Sequence, residues 1–317
     1  MSLSNTPDIY AHMQAAIDIV NTSTHPINKI AATITGTDNN GAPYALSRVN
    51  HWPKPISAKI GRETNIGNSS GTIHAETECV LDAPKTDEAA LFITDPPCPN
   101  CMKNVAEAGV KALYIDHKGF DKDWAKRRGD SFDQMSMRIA AKAGIDVFVL
   151  DRKEHELEEI SRHPTGYTPK IKNPPRIETA TESFQNLINK TQKLYGDEAF
   201  ALALAKNAQN ETISLLVDHH PSIGYTCETV EPKDDKYSFT LQPINRLLMI
   251  ASKEGLTLDP AHIYSSRVPT SRELVNFVGA GLNHIHIGNK ETARDKFGPQ
   301  ALEQLIEANI LALNNQT

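Results

Sequence analysis

A chain of 317 residues is long for one ordinary domain and comfortable for two, each able to bury its own core. With 39% hydrophobic and 23% charged residues it is neither disordered nor fibrous. The formal net charge of -6 excludes a domain-wide basic field of the kind that holds a polyanion, which argues against a nucleic-acid partner. No apolar run approaches membrane-spanning length, and Met1 to Thr6 lacks the basic-then-apolar order of a secretory signal, so no membrane partner is expected. Of the four cysteines two lie three residues apart, which argues for a reduced, cytoplasmic setting with that pair on a metal.

In chain order, Ile9, Met13, Ala16, Ile17 and Val20 recur at helical spacing and predict an opening helix from Asp8 to about Asn21. A strand over Lys29 to Thr35, a turn at Thr37 to Gly41 and a second apolar stretch at Tyr44 to Val49 read as a hairpin. The Pro-, Gly-, Ser- and Asn-rich stretch from His51 to Ser70 reads as a loop leading to a helix near His74. Strands are expected at Ala89 to Thr94, Val110 to Asp116 and Ile145 to Leu150, with helices at Cys98 to Ala108 and Met135 to Ala143 between them. That alternation predicts an α/β layer sandwich whose later strands are parallel.

Charges crowd Asp151 to Arg162, and Pro164, Pro169, Pro174 and Pro175 punctuate the next stretch, so residues 151–180 are expected to link a domain at 1–150 to one at 181–317. Past the linker the pattern restarts. Ile263 to Pro269 falls on Leu91 to Pro97; without a gap, Asn276, Ala280 and Gly281 fall on Asn104, Ala108 and Gly109, and Leu282 to Ile287 on Val110 to Ile115. Upstream, a four-residue shift lays Thr240-Leu-Gln242 on Thr72-Ile-His74. The expectation is a tandem duplication.

Two short sequences carry the chemistry: His74-Ala75-Glu76 and Pro97-Cys98-Pro99-Asn100-Cys101. One imidazole and two thiolates leave the fourth tetrahedral position of Zn²⁺ open, as a catalytic site needs. Both groups sit where helices should begin, and the positive end of a helix dipole favours thiolate over thiol. Zinc lowers the pKa of a bound water. Glu76, two residues past His74 and off its helical stripe, can stand beside the metal without ligating it and carry protons. A structural zinc site or a thioredoxin-like redox pair would leave Glu76 without a task.

His-x-Glu followed by Pro-Cys-x-x-Cys is the established signature of zinc deaminases, and residues Asp8 to Leu150 resemble the cytidine deaminase superfamily. Pro97-Cys-Pro-Asn-Cys-Met-Lys-Asn-Val-Ala-Glu-Ala-Gly-Val-Lys is most similar to the deoxycytidylate deaminase branch. The resemblance implies a three-layer α/β/α sandwich with a mixed central sheet. It implies Zn²⁺ on His74, Cys98 and Cys101, with Glu76 as proton carrier. It also implies an Asn at the end of the second strand that reaches the substrate, a role that falls to Asn50; Ala75 and Pro97, beside the ligands, join it as candidate substrate contacts. The family's glycine-rich segment after that strand is replaced by Ser47 to Pro55, which leaves the substrate open. His51 and Trp52 are candidates for base stacking, and Lys54, Lys59 and Arg62 for a phosphate, against the plain alternatives of loop packing and solvated charge.

In the second half Gln242, Thr270 and Glu273 stand where the ligands would be and Ile244 where Glu76 would be, so a degenerate copy without zinc is expected. The chain then resembles a covalent pseudo-dimer, and pairing of two such chains into a homodimer is a further expectation. His219-His220 and His284-x-His286 are a rival metal site, and Cys79 and Cys227 read as buried thiols. The function these residues point to is hydrolytic deamination, with water as co-substrate, of cytidine, deoxycytidine or a 5′-monophosphate form. A purine, a pterin or a transfer-RNA base is the alternative substrate, and a zinc-stabilised nucleotide-binding module the non-enzymatic one.

Overall fold

The computed structural model describes residues 8–120, 135–225 and 238–314. Asp8 caps helix α1 (Ile9–Ile19) by accepting from the N–H groups of Tyr10 and Ala11. The chain returns as a hairpin, β1 (Ala31–Thr37) and β2 (Pro43–Val49), paired from Ala31 opposite Val49 to Thr37 opposite Pro43. Asp38 closes its turn by accepting from Asn40 and Ala42, and Gly41 takes the left-handed φ of +78°.

The stretch expected to be loop throughout holds a short helix, α2 (Lys54–Lys59). Pro55 lies in its first turn, where a missing N–H costs nothing, so the prolines that suggested a loop start a helix. Then come α3 (Ala75–Asp82), β3 (Ala90–Ile93), α4 (Pro99–Glu107), β4 (Ala112–Asp116), α5 (described over 135–143), β5 (Asp146–Asp151) and β6 (Glu156–Ser161). They form a six-stranded mixed sheet in the order β2-β1-β3-β4-β5-β6 with β3, β4 and β5 mutually parallel.

Strand alternation sorts the faces of this sheet. On β3, Leu91 and Ile93 join the core that includes α3 and α4, while Phe92 turns to α1 and packs with Met13 and Leu150. A helix thus lies on each face, the three-layer arrangement expected.

The second half repeats it. β7 (Arg176–Thr179), α6 (Phe184–Tyr195), β8 (Phe200–Lys206), β9 (Thr212–Asp218), β10 (His220–Pro221), β11 (Thr240–Leu241), α7 (Pro243–Glu254), β12 (Thr257–Val268), α8 (Ser271–Gly279), β13 (His284–Ala293), α9 (Phe297–Glu307) and β14 (Ala312–Leu313) come in that sequence. Their sheet runs β14-β13-β12-β8-β9-β7, so the antiparallel hairpin, the third strand against its first member and the later parallel strands recur in the same order. The match extends to register: Phe200 faces Asp218 as Ala31 faces Val49, and His220 faces Leu241 as His51 faces Ile73. Residues 151–180 hold β6 on one sheet and β7 on the other, two largely exposed strands within the segment read as a linker.

Helices α3 and α4 pack on α7, and one apolar cluster containing Val105, Ile244, Leu247 and Leu248 joins the halves. No helix among the described residues is long and apolar enough to cross a membrane. Cys227 lies outside the described residues, and Cys79 is buried with its thiol donating to the carbonyl of Ala32 at 3.3 Å.

Candidate active site

Helix starts place the chemistry. His74 is the N-cap of α3 and Cys98 the N-cap of α4, so both side chains stand at the positive ends of helices. Cys101 lies one turn into α4, and its N–H donates to Cys98 Sγ at 3.4 Å. His74 Nδ1 lies 3.6 Å from Cys98 Sγ and 3.2 Å from Cys101 Sγ. A tetrahedral zinc with bonds of about 2.0–2.1 Å to nitrogen and about 2.3 Å to sulfur separates those atoms by about 3.6 Å, so the donor set fits the metal in chemistry and in size. Among the described residues this is the one grouping of three or more His, Cys, Asp or Glu donors, which removes the rival site at His219, His220, His284 and His286. His220 is buried and accepts from the N–H of Lys172, and His286 lies 3.1 Å from the carbonyl of Ala261.

Polar neighbours hold the sulfurs. Asn104 Nδ2 donates to Thr77 Oγ1, and Thr77 Oγ1 donates to Cys101 Sγ at 3.7 Å, a chain of donors that favours thiolate. Of the two thiols Cys98 ionises first, held well below its usual range by its hydrogen bond with Cys101, whereas burial pushes Cys101 up. Glu76 is 2% exposed, and burial, outweighing the pull of His74, raises it to about 7. Its Oε2 has no hydrogen-bond partner among the described residues.

These groups line a cavity of about 220 Å³ whose walls come from distant segments. His25, Asn28 and Asn50 form one side, Thr72 and Asn100 another, and Arg272 and Asn276 arrive from the second half. Asn50 sits in the wall with its amide engaged: Oδ1 accepts from Ser23 Oγ at 2.7 Å and Ile30 N at 2.9 Å, and Nδ2 donates to the carbonyl of Asn28 at 2.7 Å. It therefore holds the turn that carries His25 and Asn28. Burial, and then the charge of His74, lowers the pKa of His25.

The other sequence candidates lie behind or outside the wall. Pro97 and Ala75 are buried, and the adjacent Pro96 lines the cavity instead of Pro97. His51 turns to Glu78 at 2.9 Å, and Trp52 stacks on His25 while its Nε1 donates to the carbonyl of Ser70. Lys54 opens α2, Lys59 donates to the carbonyl of Asn309, and Arg62 is exposed in the turn beyond; none lines the cavity. His25, Asn28, Arg272 and Asn276 carried no site reading from the sequence; only Asn276, aligned on Asn104 by the repeat, offered a signal.

Residues 7–116 match the family model of the cytidine and deoxycytidylate deaminase zinc-binding region. Over that stretch the chain is similar to the cytidine and deoxycytidylate deaminases. Zinc is the family's metal, and His74, Cys98 and Cys101 lie within the matched stretch. The chain is 29% identical over 89 residues to ComE operon protein 2 of Bacillus subtilis, covering 27% of this chain and 45% of that protein. It is 32% identical over 90 residues to the deoxycytidylate deaminase of Enterobacteria phage T4, covering 27% of this chain and 42% of that protein. It thus spans about half the length of these curated relatives. The apo dCMP deaminase of cyanophage S-TIM5 is similar at 24% identity with a TM-score of 0.31, covering 46% of this chain and 99% of that one.

Proposed function

We propose that this chain is a zinc-dependent hydrolase that deaminates a cytosine nucleoside or its 5′-monophosphate, consuming water and releasing ammonia and the uracil counterpart. The observation that carries the proposal is the convergence of His74 Nδ1, Cys98 Sγ and Cys101 Sγ with a buried carboxylate, Glu76, in one cavity. The T4 relative's name, deoxycytidylate deaminase, supports the choice of base.

In this reading His74, Cys98 and Cys101 would hold the metal. When bound, zinc supplies a Lewis acid and a water of lowered pKa. Glu76 takes a proton from the attacking water and delivers it to the ring nitrogen beside the amino-bearing carbon, which makes that carbon electrophilic. It then moves a proton to the departing nitrogen, which leaves as ammonia. Burial suits it to both tasks, because a carboxyl raised to about 7 gives up and regains a proton near neutral pH. Residues 1–150 form the catalytic domain in this proposal, and 181–317 a degenerate copy that completes the cavity wall.

Glu76→Ala tests the mechanism. Ammonia release is expected to fall about 10²- to 10⁴-fold while zinc content, measured by atomic emission, stays at the wild-type level. Unchanged turnover would remove Glu76 from the mechanism. A screen of free bases, nucleosides and monophosphates tests the substrate: ammonia from purines or pterins alone would reassign it, and ammonia from none would leave a zinc-stabilised nucleotide-binding module.

A further inference from the structure

We infer that Gln304, on α9 of the second half, is a positioning residue for the metal site: it pins residues 65–72, the loop that leads into the ligand His74. The inference rests on the reading of His74 as a zinc ligand and is independent of which base is deaminated. It gives the degenerate half a task beyond filling the cavity wall.

Three observations carry it. First, one side chain brackets the loop. Gln304 Oε1 accepts from the N–H of Gly67 at 2.8 Å, and its Nε2 donates to the carbonyl of Asn65 at 3.2 Å. Ile66 and Ser69 exchange backbone hydrogen bonds, each of 2.9 Å, so 66–69 is a closed turn held to α9 at its entrance. A carboxamide carries both a donor and an acceptor, so Gln304 meets the loop backbone as a neighbouring strand would.

Second, the fit leaves no slack. Gly67, at the left-handed φ of +55°, has no room for a side chain: a Cβ there would stand 2.2 Å from Ser271 Oγ and 2.6 Å from the carbonyl oxygen of Phe297. The turn therefore rests against the first residues of α8 and of α9. Ile73, at the other end of the loop, also meets α8, where a Cβ at Gly279 would stand 2.6 Å from its Cδ1. The second half thus lies against the loop at both ends.

Third, the site hangs from this loop. The carbonyl of Ser70 accepts from Trp52 Nε1 at 3.2 Å, and Trp52 stacks on His25 in the cavity wall. Ser70 and Thr72, hydrogen-bonded to each other through their hydroxyls at 2.7 Å, line the cavity themselves. Ile73 exchanges backbone hydrogen bonds with His51, and the next residue is His74, the N-cap of α3, whose side chain makes no capping bond. The imidazole is therefore not spent on the helix, and the backbone that feeds it sets where it stands. Groups that orient a ligand from behind govern how firmly the metal is held.

Zinc release from the zinc-loaded full chain to an excess of the chromogenic chelator pyridylazoresorcinol tests this without turnover, together with hydrogen–deuterium exchange of a peptide spanning 64–73. Gln304→Ala is expected to speed zinc release about 2- to 10-fold, the range of one net hydrogen bond, and to speed exchange over 64–73. Gly67→Ala should speed both further, because the turn must back away from α8 and α9. Gln304→Glu, which keeps the acceptor for Gly67, should lie nearer the wild type. Gln192→Ala is the control: it removes an amide hydrogen bond to Tyr264 elsewhere in the second half and should leave both rates at the wild-type value. Wild-type zinc release in Gln304→Ala overturns the inference, whether or not Gly67→Ala folds. Equal acceleration in Gln192→Ala also overturns it, since the effect would then be a general loosening of the second half. A wild type that takes up no zinc overturns the metal reading and this inference together. Gln304-dependent zinc release in a chain that liberates no ammonia would instead overturn the catalytic reading and leave this one standing.

Discussion

The two halves build the same frame and hold it at the same point by different means. In the first, the N-caps of α3 and α4 are His74 and Cys98, and Cys101 lies one turn on. In the second, the N-caps of α7 and α8 are Gln242 and Thr270, and Glu273 stands where Cys101 does. Glu273 Oε2 accepts from the N–H and hydroxyl of Thr270, and its Oε1 accepts from the N–H of Ile244 at 2.8 Å. One buried carboxylate thus ties together the two helix starts whose counterparts in the first half carry the donors that would share a metal. The network behind them is kept: Asn276 Nδ2 donates to Asn245 Oδ1 where Asn104 Nδ2 donates to Thr77 Oγ1. Both halves place a polar tie at this junction, and in the proposed reading the first half also uses it for chemistry.

The sharpest way to break the comparison is to change the matched caps. Cys98→Ala removes a ligand, and zinc content and ammonia release should fall together. Losing even a hydrogen bond behind a ligand costs about 10- to 100-fold, so losing the ligand should exceed 100-fold. Thr270→Ala removes a helix cap worth about 1 kcal/mol, lowering the unfolding midpoint slightly with zinc retained. Equal zinc loss in both variants would contradict the assignment of the metal to the first half alone.

Much of this contrast was legible in the residues themselves. The caps were visible because a helix start has a chemical signature, and the repeat because Asn276 and the strand after it keep the spacing of Asn104 and its strand. The cavity wall was not legible from neighbours in sequence. His51 and Trp52 stand next to Asn50, yet one turns to Glu78 and the other packs behind His25. His25 and Asn28 lie in a turn before β1, and Arg272 in the other half; they reach the metal site through the packing of helices on two sheets, which no local pattern encodes. α2 was missed for a local reason, since proline marks helix starts as well as loops.

A second contrast lies one turn beyond the caps. Glu78 of α3 has Arg246 as its counterpart on α7, a reversal of charge. Arg246 is fully buried between the halves, with Nε donating to Glu107 Oε1 at 2.7 Å, Nη1 to Asp218 Oδ1 at 2.5 Å and Nη2 to the carbonyl of Asn173. Arg246→Met would strand two buried carboxylates, one from each half, and should cost about 3–5 kcal/mol by chemical denaturation. Glu78 is only paired with a partly exposed His51, so Glu78→Gln should cost far less. A neutral Arg246→Met would mean that the halves are held by their apolar contact alone.

That reversal sets the smallest and most specific prediction, because the matched histidines His51 and His220 shift in opposite directions. The hydrogen bond to Glu78 raises His51 above its ordinary 6.5 despite burial, while burial first and the charge of Arg246 second push His220 down to about 3. A histidine held low contributes stability that is present above 6.5 and is lost as pH falls toward 3, since the unfolded chain then binds a proton the folded one refuses. A histidine held high contributes stability that is complete below 6.5 and is lost as pH rises through its folded value. The stability difference between wild type and His220→Gln should therefore shrink from pH 7.5 to about pH 5, and that between wild type and His51→Gln should grow over the same interval. Urea midpoints at the two pH values measure both. Parallel slopes would show that the hydrogen bond to Glu78 does not hold His51 up against its burial; opposite slopes would show that a carboxylate at one histidine, and burial beside a guanidinium at the other, separate the two copies even where their backbones coincide.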